Sequence, residues 1–261
     1  MRTLGICGPG SEALADRLVG RLEDRVGVVR EGAPDGGVTA VRETTTYTYD
    51  ETGWAASGVD DRSLDDVLDR LAPDHGFALV LDHPDAALPT VALGDADPAG
   101  EVLARADGPE AVDLDELTAA LDETEPRETL ESLVAEVKRS PRAPFSGAIA
   151  TFTGRVRAKE HDDDAPTQYL QFEKYEGVAD RRMRTIESEL EEREGVLDVV
   201  MHHRTGVVPD GEDIVFVVVL AAHRGEAFET VEDGIDRLKD EVPLFKKEVT
   251  TEETFWVHER D

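Results

Sequence analysis

The sequence of 261 residues predicts two domains of different fold class: an α/β domain with a largely parallel sheet over residues 1–122, and an α+β domain over residues 128–261. In the first half, short apolar runs alternate with amphipathic segments, which is the pattern of parallel strands with crossover helices. In the second half, longer runs of alternating polarity surround a few helices. Residues 123–127 are almost all polar and include Pro126, so we expect a linker there.

The elements of the first half follow from its apolar spacing. A strand over Arg2–Cys7 leads through the turn Gly8–Gly10 into a helix over Ser11–Arg25, which carries leucines on one face. Further strands are predicted over Val26–Arg30, Val38–Arg42, Phe77–Leu81 and Thr90–Leu93. Two further helices are predicted over Leu64–Leu71, with Ser63 as the N-cap, and over Leu114–Leu121.

The second half begins with a predicted helix over Leu130–Arg139. Strands are predicted over Gly147–Arg157, Gln168–Lys174, Val196–Val208, Asp213–Ala222 and Phe255–Val257. The segment Pro209–Glu212 has the composition of a hairpin turn between two of these strands. Helices are predicted over Val178–Glu192 and around Phe228–Leu238, and Pro243 ends the second of them.

The chain is strongly acidic, with 28 basic and 59 acidic residues and a net charge of −31. A field of this sign disfavours nucleic acid and anionic membranes as partners. The acidity is spread over both halves, and only 6 lysines stand against 22 arginines, a composition that resembles proteins of salt-loving archaea. An ordinary acidic protein is the alternative. A thermal melt against KCl concentration separates the two, because a halophilic protein loses stability in dilute buffer.

Membrane and redox features are few. No apolar run approaches the roughly 20 residues that cross a bilayer, and the N-terminus shows no secretory signal, so we expect a cytoplasmic protein. Cys7 is the single cysteine, which excludes an intramolecular disulfide and a cysteine-rich metal site. His202 and His203 are adjacent on a predicted strand and face opposite sides, so they cannot bind one metal ion together. We expect neither a metal ion nor a bound cofactor.

A glycine-rich segment follows the first strand and opens a helix, as phosphate-binding loops do. Gly5 and Gly10 have the spacing of the G-x-x-x-x-G-K-[ST] motif, but Ser11 replaces the lysine and Glu12 replaces the metal-binding hydroxyl. A carboxylate at the start of the helix would repel a triphosphate. We therefore expect a structural turn that does not hydrolyse nucleoside triphosphates.

Two further segments extend this pattern, the strand-like Phe77–Pro84 and the following Leu88–Gly94. With the glycine-rich segment, they resemble the guanine-nucleotide-binding adaptor of molybdenum cofactor biosynthesis, a P-loop protein, over residues 1–122. The resemblance implies a P-loop-like fold whose motif has lost its chemistry. Titration of this half with GTP tests the expectation.

The most informative pattern of the second half is His223-Arg224, between an apolar strand and a helix. The first N–H groups of a helix lack partners and carry partial positive charge, so an adjacent Arg and His would form an anion site. A plain ion pair between Arg224 and one of the many carboxylates is an equal alternative. Earlier in this half, Arg155 and Arg157 alternate along a predicted strand and would share one face.

The lysines are concentrated around Pro243. Residues 1–137 contain none, whereas Lys239, Lys246 and Lys247 fall close together. A turn at Pro243 would bring Lys239 and Lys246 to one pocket, where lysine serves as an acid, a base or a nucleophile. A solvated basic run is the alternative. Together with the arginines and the histidine, these lysines predict a pocket for an anionic substrate in a strongly negative protein.

Five segments of the second half occur in a characteristic order: Gly147–Arg157, Phe172–Ala179, His203–Gly206, Ala222–Arg224 and Leu238–Glu248. In order and spacing they resemble the large, catalytic subunit of molybdopterin synthase, over about residues 128–258. The resemblance implies a sulfur transferase that converts cyclic pyranopterin monophosphate into molybdopterin by forming a dithiolene. It implies that sulfur arrives as the C-terminal thiocarboxylate of a small ubiquitin-like subunit.

The same resemblance implies an assembly and a set of site residues. The large subunit forms a homodimer with one small subunit at each end, which gives a heterotetramer. Lys239 and Lys246 match the two essential lysines of the family. The residues that match its substrate-binding positions or lie beside them are Arg155, Arg157, His223, Arg224, Lys247 and Glu248.

Two other functions are compatible with the sequence. The chain could be a non-catalytic adaptor that scaffolds enzymes of the pathway, although the intact lysines argue against decay of the site. It could also be a GTP-dependent cofactor-insertion protein, which the altered glycine motif disfavours. Residues 127–261 contain no cysteine, so this half cannot carry the transferred sulfur itself. Incubation of the pure chain with a thiocarboxylated partner and the pterin precursor separates the three.

Overall fold

The computed structural model describes residues 1–32, 46–51, 53–58, 62–175, 177–252 and 254–257. The chain divides into two compact units, Met1–Thr129 and Leu130–Asp261. The predicted strand over Val38–Arg42 lies outside the described residues. The segment 123–127, expected as a linker, belongs to the first unit, where the Arg127 side chain donates hydrogen bonds to the carboxylates of Asp69 at 2.7 Å and Asp65 at 2.8 Å.

The first unit is built on a five-stranded sheet in which neighbouring strands are parallel. The strands of the unit are β1 (Arg2–Cys7), β2 (Val26–Arg30), β3 (Thr46–Tyr49), β4 (Trp54–Ser57), β5 (Phe77–Leu81), β6 (Thr90–Leu93) and β7 (Val102–Ala106). The parallel sheet has the order β2–β5–β1–β6–β7, and β3 pairs with β4 in a separate antiparallel hairpin. The predicted α/β class with a parallel sheet is confirmed.

Helices cover both faces of this sheet. They are α1 (Ser11–Val19), α2 (Leu64–Leu71) and α3 (Leu114–Asp122). Leucines of α1 and α3 pack with one face of the central strands, and Leu68 of α2 packs with Ala78 and Val80 on the other. Helix α1 ends earlier than predicted because Gly20 follows it as the C-cap. Ser63 caps α2 as predicted and accepts a hydrogen bond from the Asp66 N–H at 3.1 Å.

In its described residues, the second unit combines two antiparallel sheets with three α-helices. Its strands are β8 (Ala148–Arg155), β9 (Thr167–Lys174), β10 (Val196–His203), β11 (Gly206–Pro209), β12 (Asp213–Ala221), β13 (Leu244–Thr250) and β14 (Thr254–Val257). Its helices are α4 (Leu130–Arg139), α5 (Val178–Glu191) and α6 (Arg224–Glu241). One sheet has the order β10–β12–β8 and the other the order β11–β9–β13–β14. This architecture is the predicted α+β class.

Strand β12 forms the centre of the second unit and is buried on both faces. Its residues alternate between two cores, because side chains of a strand point to opposite faces in turn. Val215, Val217 and Val219 pack with α5 and α6, whereas Phe216 and Val218 pack with α4. The central strand therefore fixes the positions of the three helices that cover its sheet.

Three sequence predictions in this unit were wrong in detail. The strand predicted over Val196–Val208 is divided into β10 and β11, which belong to different sheets, and Gly206 at the break has a φ of +77° that favours glycine. The turn Pro209–Glu212 consequently joins strands of two sheets rather than a paired hairpin. Strand β8 ends at Arg155, so Arg157 lies in the following loop.

Candidate functional site

The turn between β12 and α6 presents two basic side chains to solvent. His223 is the N-cap of α6 and Arg224 is its first residue, and both are exposed. The His223 side chain makes no capping hydrogen bond to the described residues of α6. A Cβ added at Gly225 would meet no described atom within 4 Å. The start of this helix thus has room beside an exposed arginine and histidine, which suits an anionic ligand.

Strand β13 carries Lys246, Lys247 and Glu248, which are all half-buried and alternate between its two faces. The Glu248 carboxylate accepts a hydrogen bond from the hydroxyl of Thr167. On the opposite face, the Lys247 ammonium lies 5.9 Å from the ring centroid of Trp256 on β14, within the range of a cation–π contact. Lys246 and Glu248 thus share one side of the strand, and Lys247 points to the other.

Lys239 lies on the last turn of α6 and is exposed. The helix ends at Glu241, before Pro243, as the sequence predicts. Lys239 and Lys246 therefore belong to separate elements that a short turn connects. This arrangement is compatible with the expected pocket, because the two lysines flank the same turn.

Arg155 and Arg157 lie on either side of buried Val156 and are both exposed. The guanidinium of Arg155 is 2.9 Å from the Asp213 carboxylate, and that of Arg157 is 3.0 Å from the Glu160 carboxylate. Exposed ion pairs of this kind contribute about 0–1 kcal/mol. An anionic ligand can therefore compete with either carboxylate for its arginine.

The antiparallel pairing of β8 with β12 separates the two arginines from His223 and Arg224. Strands β8 and β12 are antiparallel, so Arg155 pairs with Asp213 and Ala148 pairs with Ala221 at the other end of the ladder. His223 comes two residues after Ala221, so it lies at the Ala148 end. At about 3.3 Å per residue, the two ends of the ladder are about 23 Å apart.

Helix α6 carries the chain back along the sheet. At Gly234 it passes Val217 so closely that an added Cβ would lie 3.0 Å from the valine side chain. It thereby brings Lys239 to the end of the ladder at which Arg155 lies, about 22 Å along the helix from Arg224. Within one chain, Lys239 therefore lies towards the Arg155 end of the ladder, whereas His223 and Arg224 lie at the other end.

The glycine-rich turn of the first unit is filled by its own chain. The Gly8 N–H donates to one oxygen of the Asp82 carboxylate at 3.0 Å, and the Ser11 hydroxyl donates to the other at 2.8 Å. Glu12 forms a two-point ion pair with Arg30, with both N–O distances 2.6 Å. A phosphate would have to displace Asp82 and then meet the Glu12 carboxylate.

Packing explains why glycines occupy this turn. Gly8 has a φ of +110° and Gly10 a φ of +92°, which favour glycine. A Cβ at Gly8 would lie 2.2 Å from the Leu93 carbonyl oxygen, and one at Gly10 would lie 2.8 Å from the Pro109 ring. The glycines therefore allow close approach of the chain to itself, and the motif needs no ligand to account for it.

A cavity of about 320 Å³ opens beside this turn and is lined by Glu12, Arg30, Glu31, Leu81 and Asp82. Its three carboxylates outnumber its arginine, so it is unsuited to a phosphate. Over the described ranges, no group of three His, Cys, Asp or Glu side chains is arranged to hold a metal ion. In the same part of the chain, no helix is long and apolar enough to cross a membrane.

Two side chains at these sites were missed by the sequence analysis. Asp82, the residue after β5, fills the glycine-rich turn from far along the chain, and its left-handed φ of +55° is unusual for a residue other than glycine. Thr167 binds Glu248 across two strands whose register shifts near that point. Both contacts depend on which strands are neighbours, and no local pattern encodes that.

An α+β unit with arginines, lysines and a histidine near the ends of its strands and helices has the features of proteins that bind small anionic ligands. Comparison with known proteins narrows this class. The family model described as "MoaE protein" matches residues 123–241. The match covers α4 to α6, and β13 with Lys246 lies beyond it.

Relatives extend the comparison. A "Probable molybdopterin synthase" of Haloferax volcanii is 55% identical over 100% of both chains. The "Molybdopterin synthase catalytic subunit" of Yersinia pestis is 39% identical over 44% of this chain and 75% of its own. A crystal structure of molybdopterin synthase from Staphylococcus aureus covers 52% of this chain and 93% of its own, with 29% identity and a TM-score of 0.45. Since the Haloferax relative is 55% identical over the full length of both chains, the chain belongs to the molybdopterin synthase family.

Proposed function

We propose that the chain is the catalytic subunit of a molybdopterin synthase and transfers sulfur to cyclic pyranopterin monophosphate in molybdenum cofactor biosynthesis. The observation that carries this proposal is the set of cationic side chains on the family's fold. Lys239, Lys246 and the His223-Arg224 pair are present at the ends of α6 and on β13. A reaction on a phosphorylated pterin by a thiocarboxylate needs cations for both anions.

The sulfur comes from a partner. The second unit contains no cysteine. Cys7 lies buried in the first unit, where burial and the neighbouring Asp82 carboxylate raise the pKa of its thiol. A thiol that resists deprotonation is a poor sulfur nucleophile. A small ubiquitin-like subunit with a C-terminal thiocarboxylate supplies an anionic sulfur without needing a thiol of this chain.

The cationic residues have two roles, anion binding and proton transfer. Arg157, His223 and Arg224 hold the phosphate of the substrate and the terminal carboxyl group of the partner. Lys239 and Lys246 position the thiocarboxylate and transfer protons as the cyclic phosphate opens. Arg155 and Glu248 border the same site, and Lys247 lies beside it on the other face of β13.

Two copies of the chain complete each site. Arg157 and His223-Arg224 lie at opposite ends of the β8–β12 ladder, about 23 Å apart, which is too far for one small substrate to span. A homodimer that places the β12–α6 turn of one copy against the lysines of the other brings the two groups together. The heterotetramer then has one small partner at each of two shared sites.

Mixed dimers test this arrangement. Dimers formed from one Lys246→Ala chain and one Arg224→Ala chain contain one site with both side chains intact. We expect them to recover up to half of the activity that each pure variant loses. Mixed dimers as inactive as the pure variants would show that each site belongs to one chain.

The first unit is, we infer, a P-loop-like domain that has lost nucleotide chemistry, fused to the catalytic unit. The strand–turn–helix from Gly5 to Ser11 supports the likeness, and the hydrogen bonds to Asp82 support the loss. Titration of the full chain with GTP tests this directly. Micromolar binding would contradict the proposal.

Reconstitution tests the function itself. The pure chain, the thiocarboxylated partner and cyclic pyranopterin monophosphate are incubated together, and molybdopterin is measured. Formation of the dithiolene product supports a synthase. A protein that binds the partner without forming product would be a scaffold, and a requirement for GTP would indicate a cofactor-insertion protein.

A further inference from the structure

Thr167 connects two charged segments of the proposed site, the loop with Arg157 and strand β13. Both are assigned to the end of the β8–β12 ladder where Arg155 lies. Thr167 is the first residue of β9 and is only 6% exposed. Its N–H donates to the carbonyl oxygen of Ala158 at 2.8 Å, in the loop that contains Arg157. Its hydroxyl donates to the carboxylate of Glu248 on β13. One buried residue is thus bonded both to the arginine loop and to the lysine strand.

The contact fixes Glu248 relative to Lys246. These two side chains share one face of β13 and are two residues apart, so their Cα atoms are separated by about 7 Å. Glu248 is half-buried, and a carboxylate that loses water needs hydrogen-bond donors in its place. Threonine is stiff about χ1 because it is branched at Cβ, so the buried hydroxyl holds the carboxylate in one position.

We propose that Thr167 is a positioning residue of the synthase reaction: it holds the Glu248 carboxylate in place for the pterin substrate and ties β13 to the Arg157 loop. The inference rests on the proposed function, and it adds a residue to which neither the sequence nor the family resemblance assigns a role. Thr167 does not touch the substrate. Its effect passes through Glu248.

Thr167→Val tests the proposal, because valine keeps the shape and removes the hydroxyl. Without the hydroxyl the Glu248 carboxylate loses its fixed position, so we expect the KM for the pterin precursor to rise about tenfold or more. The kcat should stay within about twofold, as expected when ground-state and transition-state binding are lost equally. Thr167→Ser restores the hydroxyl and should restore the KM.

A matched control separates positioning from stability. Thr90→Val removes another buried threonine hydroxyl, which donates to the Leu88 carbonyl oxygen at 2.7 Å in the first unit. Any folding defect common to such variants lowers the melting temperature and the amount of active enzyme, without a change in KM. A Thr167→Val enzyme with an unchanged KM would overturn the proposal.

A double-mutant cycle gives the decisive measurement. Glu248→Ala removes the group that Thr167 positions, so adding Thr167→Val to it should change the KM by less than about twofold. Additive effects of the two substitutions would mean that Thr167 acts elsewhere and would refute the inference. The wild-type chain is measured in the same assay, so failure of the proposed function appears separately, as an inactive wild type.

Discussion

Two strand-to-helix turns of this molecule have the same local form. One has its polar groups bonded within the chain, and the other leaves its basic side chains exposed. The turn from β1 to α1 directs its Gly8 N–H and Ser11 hydroxyl at the chain's own Asp82. The turn from β12 to α6 leaves His223 and Arg224 exposed. A helix start is therefore an anion site only if the rest of the fold leaves it open. The motif of glycines in the first turn does not reveal that it is filled.

The largest expected effect tests whether catalysis belongs to the second unit. Lys239→Ala and Lys246→Ala should each reduce turnover roughly 10²–10³-fold, because each removes an acid–base or electrostatic group. Turnover is measured as molybdopterin formed per minute with saturating partner. Lys138→Ala, an exposed lysine on α4, is the matched control and should retain normal turnover. Near-normal activity of both site variants would refute the assignment.

The second test removes the internal anion of the first turn. Asp82→Ala leaves the Gly8 N–H and the Ser11 hydroxyl without their partner, so we expect a loss of about 1–3 kcal/mol in the free energy of unfolding. Urea denaturation measures it. Turnover of the folded variant should stay within about twofold of the wild type. The same free energy of unfolding before and after the change would mean that Asp82 does not close the turn.

A second carboxylate that accepts a main-chain N–H sharpens the comparison through the pH dependence of stability. The Glu187 carboxylate of α5 accepts from the Met201 N–H on the open edge of β10 at 2.7 Å. Burial chiefly, with added repulsion from Glu191 and Glu136, raises the pKa of Glu187 to about 7, although the Met201 N–H and Arg184 act in the opposite sense. The carboxyl group is therefore favoured in its neutral form by the folded state.

Its effect on stability has a definite sign. The folded pKa lies above the unfolded value, so the contribution of Glu187 is fully present below about pH 4.5 and is lost as pH rises through 7. The free energy of unfolding of Glu187→Gln, relative to that of the wild type, should therefore rise by about 2 kcal/mol between pH 5 and pH 8. Chemical denaturation at several pH values measures the difference. A difference that is independent of pH would contradict the assignment.

The smallest effect compares the glycines of the two turns. Gly225→Ala adds a methyl group that meets no described atom within 4 Å, on a helix where alanine is favoured, so stability should be unchanged or rise by up to about 1 kcal/mol. Gly10→Ala adds it against Pro109 at a φ of +92° and should be destabilising. Melting temperatures of the two variants decide the point. Equal shifts would remove the contrast between a filled and an open turn.

Apolar spacing was sufficient to predict both fold classes and most of the strands. Burial of one face gives apolar residues a period of two in a strand and of 3.6 in a helix. It failed where neighbours in space decide the outcome. The division of Val196–Val208 depends on Gly206, and the filling of the first turn depends on Asp82. That the cationic residues form a pocket for an anionic substrate stays a prediction. Their distribution over two ends could not be predicted, because it follows from the antiparallel pairing of β8 with β12.

Helix α6 sets the distance between Arg224 and Lys239. It begins with Arg224 and carries Lys239 in its last turn, and a helix is the most rigid link that a chain can place between two side chains. Insertion of a single residue would displace one end by about 1.5 Å and rotate it by about 100° relative to the other. Loops elsewhere can grow or shrink during evolution, but the length of α6 is constrained by both ends at once.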